Sequence, residues 1–195
     1  MSGWDTRYQT GDTPWDLGGP SAAVMGAARS ALPAGARVLV PGCGRGWHVE
    51  ALAGLGHVVT GLDLSPTAVA QARARVGPHP GVSFVVGDLL SPPNDWWGRF
   101  DAVVEHTCFC ALDPSLRTGY LDAVVRLLRP GGLLLGAFLN FVGGGPPYGS
   151  TPTELRGLFS PHFEVLTMAE ADVFAPKSCP QLTVILRRRS RAPAG

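Results

Sequence analysis

Between residues 37 and 139 the chain alternates short, unbroken apolar runs with segments that open on helix-start signals, a rhythm that few folds accommodate. The runs span 37–40, 57–63, 82–88, 100–109 and 132–139. Residues 47–55 form one intervening helix, ending near Gly56. Ser65 caps the next, with Pro66 at its first position, where a missing N–H does no harm, and it extends to about Val76. Asp113-Pro114 opens a third, which stops at the turn Arg129-Pro130-Gly131-Gly132. Strands buried on both faces read as continuous apolar runs, so this pattern specifies a parallel sheet with helices on either side. Upstream, Ser21 caps a helix over 22–32 and 33–35 is a turn. Downstream the character changes: 162–170 and 181–189 read as two strands with no helix between, an antiparallel hairpin at the sheet edge.

The 195 residues fit one domain, expected over 1–195, with 22–195 as the α/β core. Residues 1–21 hold Trp4, Tyr8, Trp15 and a Gly18-Gly19-Pro20 break, and read as an irregular aromatic arm that must lie on the core. Hydrophobic residues make up 45% of the chain and charged residues 16%, which suits a compact core. A net charge of +1 provides no field to collect nucleic acid or an anionic membrane. No uncharged apolar stretch reaches the ~18 residues of a membrane span, and no signal peptide is visible in the first thirty residues. The four cysteines lack the spacing of a disulfide framework, so a soluble, cytoplasmic protein is expected.

In open α/β sheets, ligands bind beyond the carboxyl ends of the strands. The first run ends in VPGCGRG, which places Gly42, Gly44 and Gly46 at alternate positions where a backbone can approach a ligand closely. The second ends at Asp63, 21 residues after Gly42, placed to accept from both ribose hydroxyls of an adenosine. The third ends in Gly87-Asp88-Leu89, with Asp88 suited to an adenine amino group and Leu89 to the ring face. The fourth ends at Glu105-His106, expected to face the reacting groups. A dinucleotide fingerprint needs a later glycine where Trp47 stands, which disfavours a nicotinamide-dependent oxidoreductase, and no Gly-Lys-Ser/Thr marks a P-loop. A G-x-G-x-G loop with acids ending strands two and three is the arrangement of class I methyltransferases.

The segments WDTRYQTGDTPWDLGGPS, VLVPGCGRG, VVTGLDLS, FDAVVEHTCFCALDP, LLRPGG and GGGPPY together resemble the thiopurine S-methyltransferase superfamily, in particular its thiol and halide methyltransferase branch. The resemblance runs from Trp4 to about Tyr148. It implies a Rossmann-like fold with a mostly parallel seven-stranded sheet, an antiparallel C-terminal hairpin and helices on both faces. It also implies S-adenosyl-L-methionine as cofactor, S-adenosyl-L-homocysteine as its product and a small-molecule acceptor. The arm's Trp4, Tyr8 and Trp15 would cover the cofactor, with Gly42, Asp63, Asp88, Leu89 and His106 as further contacts; by their places at the strand ends, Gly44, Gly46, Leu64 and Glu105 are expected to join them. Tyr8 stands where many relatives carry tryptophan. Glu105-His106 replaces an Asp-Tyr of the plant halide enzymes, and Leu139 falls near their acceptor-side tyrosine; both departures argue against halide.

Methyl transfer by in-line displacement needs alignment more than chemistry from the protein. The favoured acceptor is a thiol or related sulfur compound, which titrates near 8.5 and needs little base help. His106 is the candidate base, and Phe109 joins the arm aromatics as a candidate for closing the site. The alternatives are an oxygen or nitrogen acceptor, or a non-catalytic cofactor-binding protein. His106, Cys108 and Cys110 alternate along one run and, with Cys43, suggest zinc, but buried cysteines are more often packing, and no metal is expected. GPPY (145–148) reads as a loop bordering the acceptor pocket, and the basic RRRSR (187–191) as a solvated strand end.

Overall fold

A computed structural model describes residues 3–174 and 178–190; Arg191, the last of the basic run, lies outside them. Seven strands form one sheet: β1 (Arg37–Pro41), β2 (Val58–Asp63), β3 (Val82–Val86), β4 (Phe100–His106), β5 (Leu128–Leu139), β6 (Phe163–Phe174) and β7 (Cys179–Arg188). Their order is β3-β2-β1-β4-β5-β7-β6. The first five are parallel, and β7 pairs antiparallel with both β5 and β6. The expected terminal hairpin is therefore present, and its second strand inserts between the first and the parallel sheet. The chain leaves β1 toward β3 on one side and returns to β4 on the other, so the β1/β4 boundary is the switch point where such sheets bind ligands.

Successive strand residues alternate between two cores, as a period of two demands. Val38, Val40 and Val104 pack under helices α2 (Ala22–Ala31), α3 (Trp47–Ala53) and α4 (Pro66–Val76). Leu39, Leu62 and Val103 pack under α5 (Arg117–Leu127) and α6 (Pro152–Phe159) on the opposite face. The caps act as the residue types suggest: Ser65 Oγ accepts from Ala68 N–H at 3.0 Å, and Ser21 Oγ from Val24 N–H at 3.5 Å.

Four expectations change. Residues Gly3–Thr10 of the arm form a helix, α1, rather than irregular chain. Strand β5 begins at Leu128, which pairs with Phe100; the register breaks over Arg129–Gly132, where Gly131 is left-handed, and resumes at Leu133. Asp113-Pro114 opens only a 3-10 turn, and α5 starts at Arg117. Helix α6 went unread although Thr151-Pro152-Thr153-Glu154 spells a capping box, whose reciprocal bonds are both formed. Among the described residues no helix is long and apolar enough to cross a membrane.

Candidate active site

A cleft opens beyond the carboxyl ends of β1 to β4, lined by residues at or just after each of these strand ends. Gly42, Asp63, Leu64, Asp88 and Leu89 line it from the sheet, and Trp4, Tyr8 and Trp15 line it from the arm. Leu139, Pro146 and Pro147, which the sequence reading puts on the acceptor side, line it as well. A smaller polar chamber adjoins it, bounded by Gly44, Arg45, His48 and His106, and the two share Tyr8, Trp15, Gly42 and Thr107. Thr107 holds a left-handed backbone, φ 63°, directly after β4, so the chain turns sharply at the meeting point of the chambers.

The Asp63 carboxylate is fixed by the backbone. Oδ2 accepts from Gly44 N–H at 2.8 Å, and Oδ1 from Ser65 N–H at 2.9 Å. Burial pushes its carboxyl up from the ordinary value, and these two N–H donors pull it back toward the ionised form. Two carboxylate oxygens offer about four acceptor directions, so the pair of bonds leaves capacity for a ligand diol.

Gly44 and Gly46 do different jobs. A β-carbon on Gly44 would stand 2.7 Å from the Tyr8 hydroxyl, so this glycine makes room for the arm. One on Gly46 would meet Phe84 at 3.0 Å and Ala72 at 3.2 Å, and Gly46 lines neither chamber. Its part is to let α3 and α4 close onto the sheet, a correction to its expected contact with a cofactor.

Three anchors hold the arm over the cleft, and the sequence reading missed all of them. Asp5 Oδ1 accepts from Ser65 Oγ–H at 2.6 Å and Thr67 N–H at 3.0 Å, joining α1 to the N-terminus of α4. Asp16 accepts from Trp47 Nε1–H at 2.8 Å and Arg45 Nη1–H at 2.7 Å. Ser21 N–H donates to His48 Nε2 at 3.0 Å. Within the arm, Trp15 Nε1–H donates to the Tyr8 hydroxyl at 3.2 Å, and Trp4 meets Trp15 edge-on. An acid following a tryptophan in WD was the available signal for Asp5 and Asp16, yet carboxylates in an irregular stretch have no partner legible from spacing.

The end of β4 departs most from expectation. Glu105 does not face the cleft: it is 1% exposed, accepts from Cys108 and Phe109 N–H at 2.9 and 2.8 Å and from the Tyr120 hydroxyl at 3.1 Å. Burial raises its carboxyl to about 7, against the pull of those bonds. His106, on the opposite side of the strand, packs against His48 with ring centroids 4.8 Å apart and borders the polar chamber. Burial lowers His106 to about 4, and burial with the neighbouring His106 lowers His48 to about 3. His106 is thus away from the acceptor end and a poor base at neutral pH. Phe109 is 2% exposed in a cluster with Tyr120, Phe138 and Phe159, so it is core rather than a closing aromatic. At the acceptor end Cys110 and Leu139 pack with Trp15 and Phe141.

The model of the thiopurine S-methyltransferase (TPMT) family matches residues 1–188. The chain belongs to the thiopurine S-methyltransferase family. It is 32% identical over 177 residues to a probable thiol methyltransferase 2 of Arabidopsis thaliana, covering 88% of this chain and 77% of that one. A protein solved in the study of the conversion of a disulfide bond into a thioacetal group during echinomycin biosynthesis superposes with a TM-score of 0.79 at 26% identity, covering 97% and 93% of the two chains. The 1,6-didemethyltoxoflavin-N1-methyltransferase of Burkholderia thailandensis, solved with S-adenosylhomocysteine, shares the fold at a TM-score of 0.77 and 24% identity, over 95% and 85%. This member of the thiopurine S-methyltransferase family is a methyltransferase that uses S-adenosyl-L-methionine. The fold is the Rossmann-like one of class I methyltransferases. The donor set fits that cofactor: a fixed carboxylate for a diol, a glycine cradle that a β-carbon would fill, and aromatic faces for a cation.

Proposed function

We propose that the acceptor is a small, soft nucleophile, a thiol or related sulfur compound, methylated by in-line displacement. The observation that carries this reading is the acceptor end itself. Leu139, Cys110, Pro146 and Pro147 line it; the acidic residues lining the same cleft are Asp63 and Asp88, both assigned to the cofactor, and among the described residues no histidine lines it. Burial holds the Cys110 thiol up at about 12, so it is no base either. Alcohols and amines need a proton removed, whereas a thiol near pKa 8.5 supplies its own thiolate. The name of the Arabidopsis relative points the same way.

S-adenosyl-L-methionine, when bound, supplies the electrophilic sulfonium methyl. Asp63 accepts from the ribose hydroxyls, while Asp88, Leu64 and Leu89 receive the adenine. The polar chamber around Gly42 and Gly44 takes the amino-acid end, with His106 at its border. Trp4, Tyr8 and Trp15, carried by the arm, exclude water and favour positive charge, each aromatic face being worth roughly 0.5–2 kcal/mol. Residues 1–21 thereby act as a lid on the core of a single domain. Cys43, Cys108 and Cys110 form no disulfide, which fits the reducing cytoplasm.

Incubation with methyl-labelled cofactor and a panel of thiols, iodide, phenols and amines tests this. Labelled thioether from the thiols is expected. Preferential labelling of a phenol or amine contradicts a sulfur acceptor, and tight cofactor binding with no product from any acceptor means a binding protein.

A further inference from the structure

Arg7 is the sole arginine, lysine or histidine among the described residues that lines the apolar chamber. Its guanidinium lies over Trp15, 4.3 Å from the ring centroid, and 5.8 Å from that of Trp4. Nε donates to Asp12 at 2.9 Å, which leaves Nη1 and Nη2 without a hydrogen-bond partner among the described residues. Trp15 in turn packs on Cys110 and Leu139, and Arg7 lines the same cleft as that pair.

A fixed positive charge is out of place beside a sulfonium, because like charges in one cleft raise each other's energy. The same charge favours an anion that enters after the cofactor is seated. We propose that Arg7 is an acceptor-recognition residue that draws in a molecule negatively charged on entry. This deepens the sulfur-acceptor reading and rests on it. The charge has two sources, the thiolate itself or a carboxylate elsewhere on the acceptor. With the Arg7 side chain 32% exposed, the interaction is that of a rim charge: it acts on association and fades with salt.

The test compares Arg7→Gln, Arg7→Lys and Asp12→Asn with the wild type, using benzenethiol and 4-mercaptobenzoate at low and high salt. Wild-type turnover is read first; its absence with both thiols overturns the sulfur-acceptor reading and this proposal with it. Arg7→Gln is expected to raise KM by about two- to fivefold at low salt, the range of an exposed ion pair. That gap closes at high salt, Arg7→Lys recovers most of it, and S-adenosylhomocysteine affinity is unchanged. Asp12→Asn keeps the cation and keeps the low KM. An equal loss for both acceptors assigns the recognised charge to the thiolate, and a larger one for 4-mercaptobenzoate assigns it to the carboxylate. A loss that persists at high salt, no change in KM, or a fall in S-adenosylhomocysteine affinity overturns the proposal.

Discussion

The backbone N–H of Gly44 donates to Asp63 Oδ2 at 2.8 Å, so the glycine loop after β1 and the acid ending β2 form one rigid unit. Tyr8 closes over that unit, its hydroxyl 2.7 Å from where a Gly44 β-carbon would be. The cleft, its floor and its cover thus meet within a few ångströms.

Gly44→Ala should loosen the cover and strain the loop together. Gly44 has φ +52°, a conformation that costs an L-residue about 1–2 kcal/mol, and the new methyl would displace Tyr8. We expect a stability loss of about that size by urea denaturation and at least a ~10-fold loss of S-adenosylhomocysteine affinity. Wild-type affinity in this variant would remove Tyr8 from the site.

Asp5 ties α1 to α4, and the hydrogen bond from Ser65 holds its carboxyl below the usual value. A depressed carboxylate contributes stability that is present above the unfolded pKa, near 4, and is lost as pH falls through the folded one. Asp5→Ala should speed amide exchange in residues 3–10 at neutral pH while leaving β1 to β5 protected. Unchanged exchange would show that the arm is held without it.

Glu105 and the His48–His106 pair push stability in opposite directions with pH. Between about 4.5 and 6.5 the unfolded chain protonates two histidines that the folded chain keeps neutral, so their contribution falls as pH falls. Glu105, raised to about 7, is protonated when folded and ionised when unfolded over the same window, so its contribution grows as pH falls. Glu105→Gln removes the opposing effect. The acid-side slope of stability should steepen by one proton, about 1.4 kcal/mol per pH unit, in denaturant titrations at several pH values. An unaltered slope would mean that Glu105 is ionised in the folded protein.

The sheet and the binding loop were legible because their signals are local. VPGCGRG, Asp63 and Asp88 each sit at the end of an apolar run, and β-strand chemistry fixes what lies there. Helix α1 was not, since its sequence carries no apolar stripe and it is held by Asp5 and by the arm's later anchors at Asp16 and Ser21. Glu105 and His106 were read as one pair facing the reaction, but adjacent strand residues point to opposite faces, and neither face is the acceptor end. Phe109 was misplaced because the chain turns at Thr107, a left-handed non-glycine that nothing in the sequence announces.

With no base at the acceptor end, the pH dependence of kcat/KM should belong to the acceptor. We expect a single rising limb whose midpoint moves with the thiol's own pKa when two thiols of different acidity are compared. His106→Gln should leave each midpoint in place even if the rate falls. A midpoint common to both thiols and lost in His106→Gln would restore His106 as the base.

Calorimetric titration of S-adenosylhomocysteine into the wild type and Asp63→Asn reaches furthest into this picture. One site per chain is expected in the wild type, with affinity reduced by roughly 10- to 100-fold in the variant, the value of hydrogen bonds to a buried carboxylate. No binding to the wild type, or equal affinity in a folded Asp63→Asn, would contradict it.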